Sequence, residues 1–193
     1  MKEFVVAVDL QYDFTVGSLR TKEAREIIPD VVEYIKTHHA HYIFTRDTHD
    51  AQYLETHEGK MLPIVHCVKN SAGWRIDENV MDAVQNMNWT YSIVDKNTFG
   101  SAAVENIIRI LIKHVQQGLY DPSTDGRDIR ITVFGLVTDI CVVSNAIMLR
   151  SAFPEAEINV VENCCAGTTP ERHVAALEVM KSCHINIINT KNG

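Results

Sequence analysis

Three residue types that do covalent chemistry stand where apolar runs of this sequence end. Phe4–Asp9 closes on a carboxylate, Tyr91–Asp95 leads into Lys96, and Ile129–Phe134 continues through Gly135-Leu136-Val137-Thr138-Asp139-Ile140 to Cys141. A thiol with an ordinary pKa of about 8.5 is a weak nucleophile until it loses its proton. A helix N-terminus at Cys141 and an ammonium from Lys96 would both favour the thiolate. Asp9 could take the thiol proton and deliver it to a leaving amine. The tight turn ahead of Cys141 leaves backbone N–H groups free to hold an oxyanion. Taken singly, each residue reads as ordinary, because strand-end charges are usually solvated and buried cysteines usually inert. Their joint placement is what points to a cysteine hydrolase centre.

A second group has metal-ligand chemistry. Asp47-x-His49 directly follows the run Tyr42–Thr45 and presents an oxygen and a nitrogen on one side of an extended segment. Glu58 and His66 lie in the following loop, within reach of a fold-back, with His57 competing with Glu58 as a donor. Two imidazoles with carboxylates suit a divalent transition metal, zinc before iron or manganese. The chain has nine histidines, so a D-x-H triplet alone decides nothing; His38, His39 and His41 read as helix-end and turn residues.

The elements that must position these residues alternate between strand and helix. Strands are expected at Phe4–Asp9, Tyr42–Thr45, Tyr91–Asp95, Ile129–Phe134, Ile158–Val161 and Ile185–Ile188. Helices are expected over 22–38, 78–87, 101–116, from Cys141 to about Ser151 and from Pro170 to about Ser182. Asp121–Asp128 reads as a surface turn within a long connection, Gln117–Arg130. This alternation implies βαβ units: a single-domain, doubly wound, Rossmann-like α/β fold over residues 1–193, with about six parallel strands and helices on both faces. Such sheets carry their sites at the carboxyl ends of the strands, where Asp9, Lys96 and Cys141 fall. The polar segment 46–79 is a long loop inside a compact domain, and such loops are usually functional.

Composition sets the outer bounds. The chain has 193 residues, 46% apolar, with a formal net charge of −7. The acidic balance argues against nucleic acid as a partner. No apolar run is long enough to span a bilayer, so no membrane partner is expected either. The apolar N-terminal run is cut by Asp9 and reads as a strand rather than a leader, which makes a cytoplasmic protein the expectation. The five cysteines form no CxxC pair and are taken as free thiols.

These residues resemble the isochorismatase-like cysteine hydrolases, and within them the nicotinamidases. V-D-L-Q-Y-D-F (8–14), T-R-D-T-H (45–49), E-G-K-M-L-P-I-V-H-C (58–67), K-N-T-F-G-S-A (96–102) and G-L-V-T-D-I-C-V (135–142) carry the likeness, which covers nearly the whole chain. The resemblance implies Asp9, Lys96 and Cys141 as catalytic residues and Asp47, His49, Glu58 and His66 as metal ligands. It implies a cis peptide at Leu136–Val137, an oxyanion hole from the N–H groups of Val137 and Cys141, and substrate contacts at Phe14, Leu136 and Val137. It implies hydrolysis of nicotinamide to nicotinate and ammonia through a thioester, in NAD salvage, by a homo-oligomer (dimer or tetramer). Leu62 stands where many relatives have a tryptophan, and Trp74 is the nearby aromatic that would replace it.

The competing readings are weaker. A carbamoyl-amide or other small-amide hydrolase of the same superfamily would share the trio but usually lacks the metal ligands. A binding module that has lost the chemistry would lack one of the trio, and none is missing. A dinucleotide-binding domain would need glycines after the first strand, where Gln11-Tyr12-Asp13 stands.

Overall fold

The computed structural model describes residues 1–115 and 125–191. Six parallel strands form one sheet: β1 (Lys2–Val8), β2 (His41–Asp47), β3 (Tyr91–Lys96), β4 (Ile129–Leu136), β5 (Glu157–Ala166) and β6 (Asn186–Ile188). Their order is β3-β2-β1-β4-β5-β6. The chain winds outward from β1 to β3 and then returns to β4 on the other side of β1. Phe4–Val8 of β1 and Ile131–Leu136 of β4 are buried at every position, which requires cover on both faces.

The helices are α1 (Tyr12–Thr15), α2 (Lys22–Glu26), α3 (Ile28–Thr37), α4 (His57–Met61), α5 (Glu78–Asn86), α6 (Ala102–Val115), α7 (Val143–Ala152) and α8 (Pro170–Ser182). A 3-10 turn (Tyr53–Glu55) and a π turn (Thr138–Val142) complete the set. On α3, Ile28, Val31, Tyr34 and Ile35 recur at helical spacing, are buried, and pack on α5. α6 packs on α7, and α7 on α8. α8 begins as its sequence dictates, with Thr169 accepting a hydrogen bond from the Arg172 N–H and Pro170 at the first helical position.

The expected α/β sheet is present, with local differences that have physical reasons. The expected helix over 22–38 is two helices, because Pro29 has no N–H to give to the preceding turn. β5 runs five residues past Val161, where polar Glu162 and Asn163 break the apolar pattern; a register shift between Val133 and Gly135 pairs Gly135 with Cys165. Cys141 lies in the π turn, and the α-helix proper starts at Val143. The 46–79 segment folds into short helices around its ligand candidates. Residues 121–124 of the expected surface turn lie outside the described residues; the rest of it turns at Gly126. Among the described residues, no helix is long and apolar enough to cross a membrane.

The direction of winding reverses between β1 and β4, and the cleft opens at the carboxyl ends of these strands. Gly135 makes that junction possible. Its φ is 131°, and a Cβ there would stand 2.1 Å from the Val8 carbonyl oxygen. A side chain is strained in this conformation and collides with fixed backbone. Gly135→Ala is therefore expected to destabilise the fold by about 2–5 kcal/mol, read from the urea midpoint at unchanged m-value.

Candidate active site

Each member of the trio reaches the cleft from its own strand. Asp9 follows β1 in a left-handed conformation (φ 48°), which turns its carboxylate inward. Lys96 is the last residue of β3 and pairs across the strands with Asp47, the last residue of β2. Cys141 enters from the π turn after β4. The structure brings all three together: Lys96 Nζ lies 2.6 Å from Asp9 Oδ2 and 3.6 Å from Cys141 Sγ. The side chains of Asp9 and Lys96 are 0% and 1% exposed, so the ion pair is sealed from water. Thr45 Oγ1 donates to Asp9 Oδ1 at 2.6 Å and accepts from the Asp9 N–H at 3.2 Å, fixing the carboxylate's rotation.

The electrostatics of this cluster differ from the sequence expectation in one respect. Burial, followed by the Asp9 charge, pushes the Cys141 thiol above its ordinary range, and Lys96 opposes them only in part. Burial also raises Asp9, although Lys96 pulls it down. Lys96 is lowered by burial and raised further by Asp9, so that it stays charged. Lys96 serves Asp9 first, and the resting sulfur keeps its proton beside a carboxylate of raised basicity.

The second group assembles next to the first. Donor atoms of Asp47, His49, Glu58 and His66 all lie within 4.8 Å of one another. His49 Nε2 is 3.0 Å and His66 Nε2 3.2 Å from Asp47 Oδ2, and His49 Nε2 is 3.8 Å from Glu58 Oε1. Donors around an ion at about 2.0–2.2 Å stand about 3–3.5 Å apart, a separation that Asp47 keeps with His49 and with His66, so these three fit a divalent transition metal, with Glu58 standing farther off beside them. His66 Nδ1 bonds the Ile64 carbonyl at 2.7 Å, which leaves Nε2 to face the group, as a ligating imidazole is held elsewhere. Burial raises Asp47, but hydrogen bonds from His49 and His66 outweigh it and hold the carboxyl well below its usual range. A cavity of about 430 Å³ opens onto His49 and Glu58, lined also by His57 and Lys69. His57 is exposed and lies outside the donor set.

The remaining expected residues are placed as follows. The Leu136–Val137 peptide is cis, as the resemblance implied. Leu136 is fully buried in the core, and Val137 is partly buried against it. Phe14 is buried with its ring edge-on to His66, centroids 5.9 Å apart. Trp74 does not offer a free face: the Arg46 guanidinium stacks 3.6 Å from its ring centroid, and its indole N–H donates to Thr48 Oγ1.

Several site residues escaped the sequence reading. Gln11, fully buried, donates to the Asp47 carbonyl and accepts from the Asp47 N–H, clamping the metal-side strand end. Asp13 accepts from the Cys67 N–H at 2.7 Å and so fixes the backbone beside His66. Asn145 donates to the carbonyls of Cys141 and Phe99 and accepts from the Ser101 N–H, tying the nucleophile helix to the loop after Lys96. The signals were present: Thr45 is two residues from Asp47 on one strand face, and Asn145 is four residues from Cys141 on one helix face.

Comparison with known proteins bears on the fold and the family. The model of the Isochorismatase domain matches residues 3–192. No protein of curated function matches the sequence significantly. Among solved structures, the nicotinamidase/pyrazinamidase of Bacillus subtilis is similar with a TM-score of 0.77 at 22% identity, covering 97% of this chain and 99% of its own. The pyrazinamidase of Pyrococcus horikoshii, solved in complex with zinc, has a TM-score of 0.72 at 25% identity over 98% and 99%. The N-carbamoylsarcosine amidase of Thermoplasma acidophilum has a TM-score of 0.69 at 18% identity over 98% and 96%. With its sheet order, its strand-end trio and a family model spanning nearly its whole length, this chain belongs to the isochorismatase family of hydrolases.

Proposed function

We propose that this hydrolase is a metal-containing nicotinamidase, releasing ammonia and nicotinate from nicotinamide. The observation that carries the reading is the contact between two groups: Lys96 Nζ of the trio lies 3.9 Å from Asp47 Oδ1 of the metal-ligating set. A carboxamide carbon at Cys141 and a ring nitrogen toward His49 and His66 would span one small heteroaromatic amide. The similarity to a nicotinamidase/pyrazinamidase and to a pyrazinamidase solved in complex with zinc supports the same choice.

In the proposed mechanism Asp9 accepts the Cys141 proton as Sγ forms a bond to the carboxamide carbon. The oxygen of that carbon gains the negative charge, which the N–H groups of Val137 and Cys141 hold. Asp9 then returns the proton to the nitrogen, the C–N bond breaks and ammonia leaves. Water attacks the thioester, Asp9 takes one of its protons and passes it to Sγ as the C–S bond breaks, which restores the thiol, and the acid released gives its remaining proton to solvent to become nicotinate. Lys96 stays charged throughout and favours the carboxylate form of Asp9 that each proton abstraction requires. A divalent cation held by Asp47, His49, Glu58 and His66 supplies a Lewis-acidic anchor for the ring nitrogen.

Four outcomes test this. Ammonia release should be fastest on nicotinamide and pyrazinamide; release from N-carbamoyl amides alone would shift the assignment to a carbamoyl-amide hydrolase. Cys141→Ala should reduce the rate to background with the circular-dichroism spectrum unchanged, and Asp9→Asn should lower kcat by about 10²–10⁴-fold. His66→Ala should weaken metal binding at least about tenfold, seen as loss of zinc in elemental analysis after gel filtration. Full activity in Cys141→Ala would end the thioester mechanism.

A further inference from the structure

Tyr53 is not a donor to the metal group and takes no part in the proposed chemistry, yet three of the four donor residues depend on it. Its side chain is fully buried, with 1% of the residue exposed. The ring centroid lies 4.4 Å from that of His49 in a tilted contact and 4.9 Å from that of His66 at 80°. One phenol ring therefore sets the planes of both imidazoles, which themselves stand 4.7 Å apart.

The two polar ends of the residue reach the supports of the other ligands. Tyr53 Oη donates to the Leu62 carbonyl at 3.0 Å. That carbonyl also accepts from the Ile64 N–H, and the Ile64 carbonyl takes His66 Nδ1. The phenol thus anchors the turn that fixes the His66 tautomer. On the backbone side, the Tyr53 carbonyl accepts from Thr56 N–H and Oγ1, and Thr56 Oγ1 in turn caps α4, the helix that carries Glu58. Gly59 lets α4 approach, since a Cβ there would lie 2.0 Å from the Tyr53 carbonyl oxygen.

We propose that Tyr53 is the positioning residue of the metal group, holding His49 and His66 through its ring and the His66 and Glu58 segments through its hydroxyl and carbonyl. The inference rests on the metal reading above. Partners one step behind the ligands commonly set metal affinity by 10–100-fold, because they fix ligand orientation before the ion arrives.

The test is zinc affinity by competition with a chromophoric chelator, together with the visible bands of the cobalt(II)-loaded protein. Wild-type protein, Tyr53→Leu and Tyr53→Phe are compared. Tyr53→Leu removes the ring and is expected to bind zinc about 10–100-fold more weakly, with shifted cobalt bands. Tyr53→Phe keeps the ring contacts, loses the Leu62 hydrogen bond, and is expected to fall by about three- to tenfold. A purely structural role would lower the melting temperature of the chelator-treated protein and leave affinity and cobalt spectrum unchanged. Zinc affinity within twofold of wild type in Tyr53→Leu overturns the proposal. Where Tyr53→Leu fails to fold, the same result in Tyr53→Phe overturns it. A wild-type protein that binds neither zinc nor cobalt would instead remove the metal reading itself.

Discussion

The Asp9–Lys96 ion pair is the interaction on which the rest of this molecule is arranged. Two opposite charges 2.6 Å apart with no exposure to water are stable only as a pair, since either one left alone in that place carries a desolvation cost of several kcal/mol. The pair therefore dictates that the ends of β1 and β3 converge, with β2 between them supplying Thr45 to fix Asp9 and Asp47 to face Lys96. It also bears on the Cys141 thiol. Lys96 answers the nearer carboxylate, and burial raises the thiol. In the proposed mechanism a carboxylate of raised basicity beside that thiol exchanges one proton with it, as both halves of an acyl-transfer cycle require.

Asp47 joins this ion pair to the metal group. It belongs to both clusters, with one oxygen toward Lys96 and the other toward the two imidazoles. Its low pKa follows from the hydrogen bonds of His49 and His66 overcoming its burial, and Gln11 holds its backbone from the far side. The two groups are thereby set at a fixed spacing by neighbouring strands of one sheet. Loop 46–79 then folds back around Tyr53, whose contacts with both imidazoles bring residues 49 and 66 together across seventeen positions of sequence.

Much of the fold could be read from residue pattern because its strands and helices bury apolar side chains at regular intervals. The reading failed where the backbone departs from that regularity. Pro29 split a helix because a missing N–H outweighs a good apolar stripe. β5 ran on through Glu162 and Asn163 because the irregularity at Gly135 reopened its pairing with β4. The π turn at Thr138–Val142 left no periodic trace at all.

The sequence by itself determined which residue types are available and at which strand ends: a carboxylate at 9, an ammonium at 96, a thiol at 141, and the D-x-H pair at 47 and 49. Side-chain alternation along a strand and the order of apolar runs are local properties, legible without coordinates. Only the tertiary structure decided how these groups share charge. Whether Lys96 serves Cys141 or Asp9 depends on a difference of about one ångström between two contacts, 2.6 against 3.6 Å. Whether Trp74 is free to face a ligand depends on an arginine twenty-eight positions away. Gln11 and Tyr53 acquire their roles from partners brought near by chain reversal, and no local pattern encodes a hydrogen bond or a ring contact whose other half lies on another element.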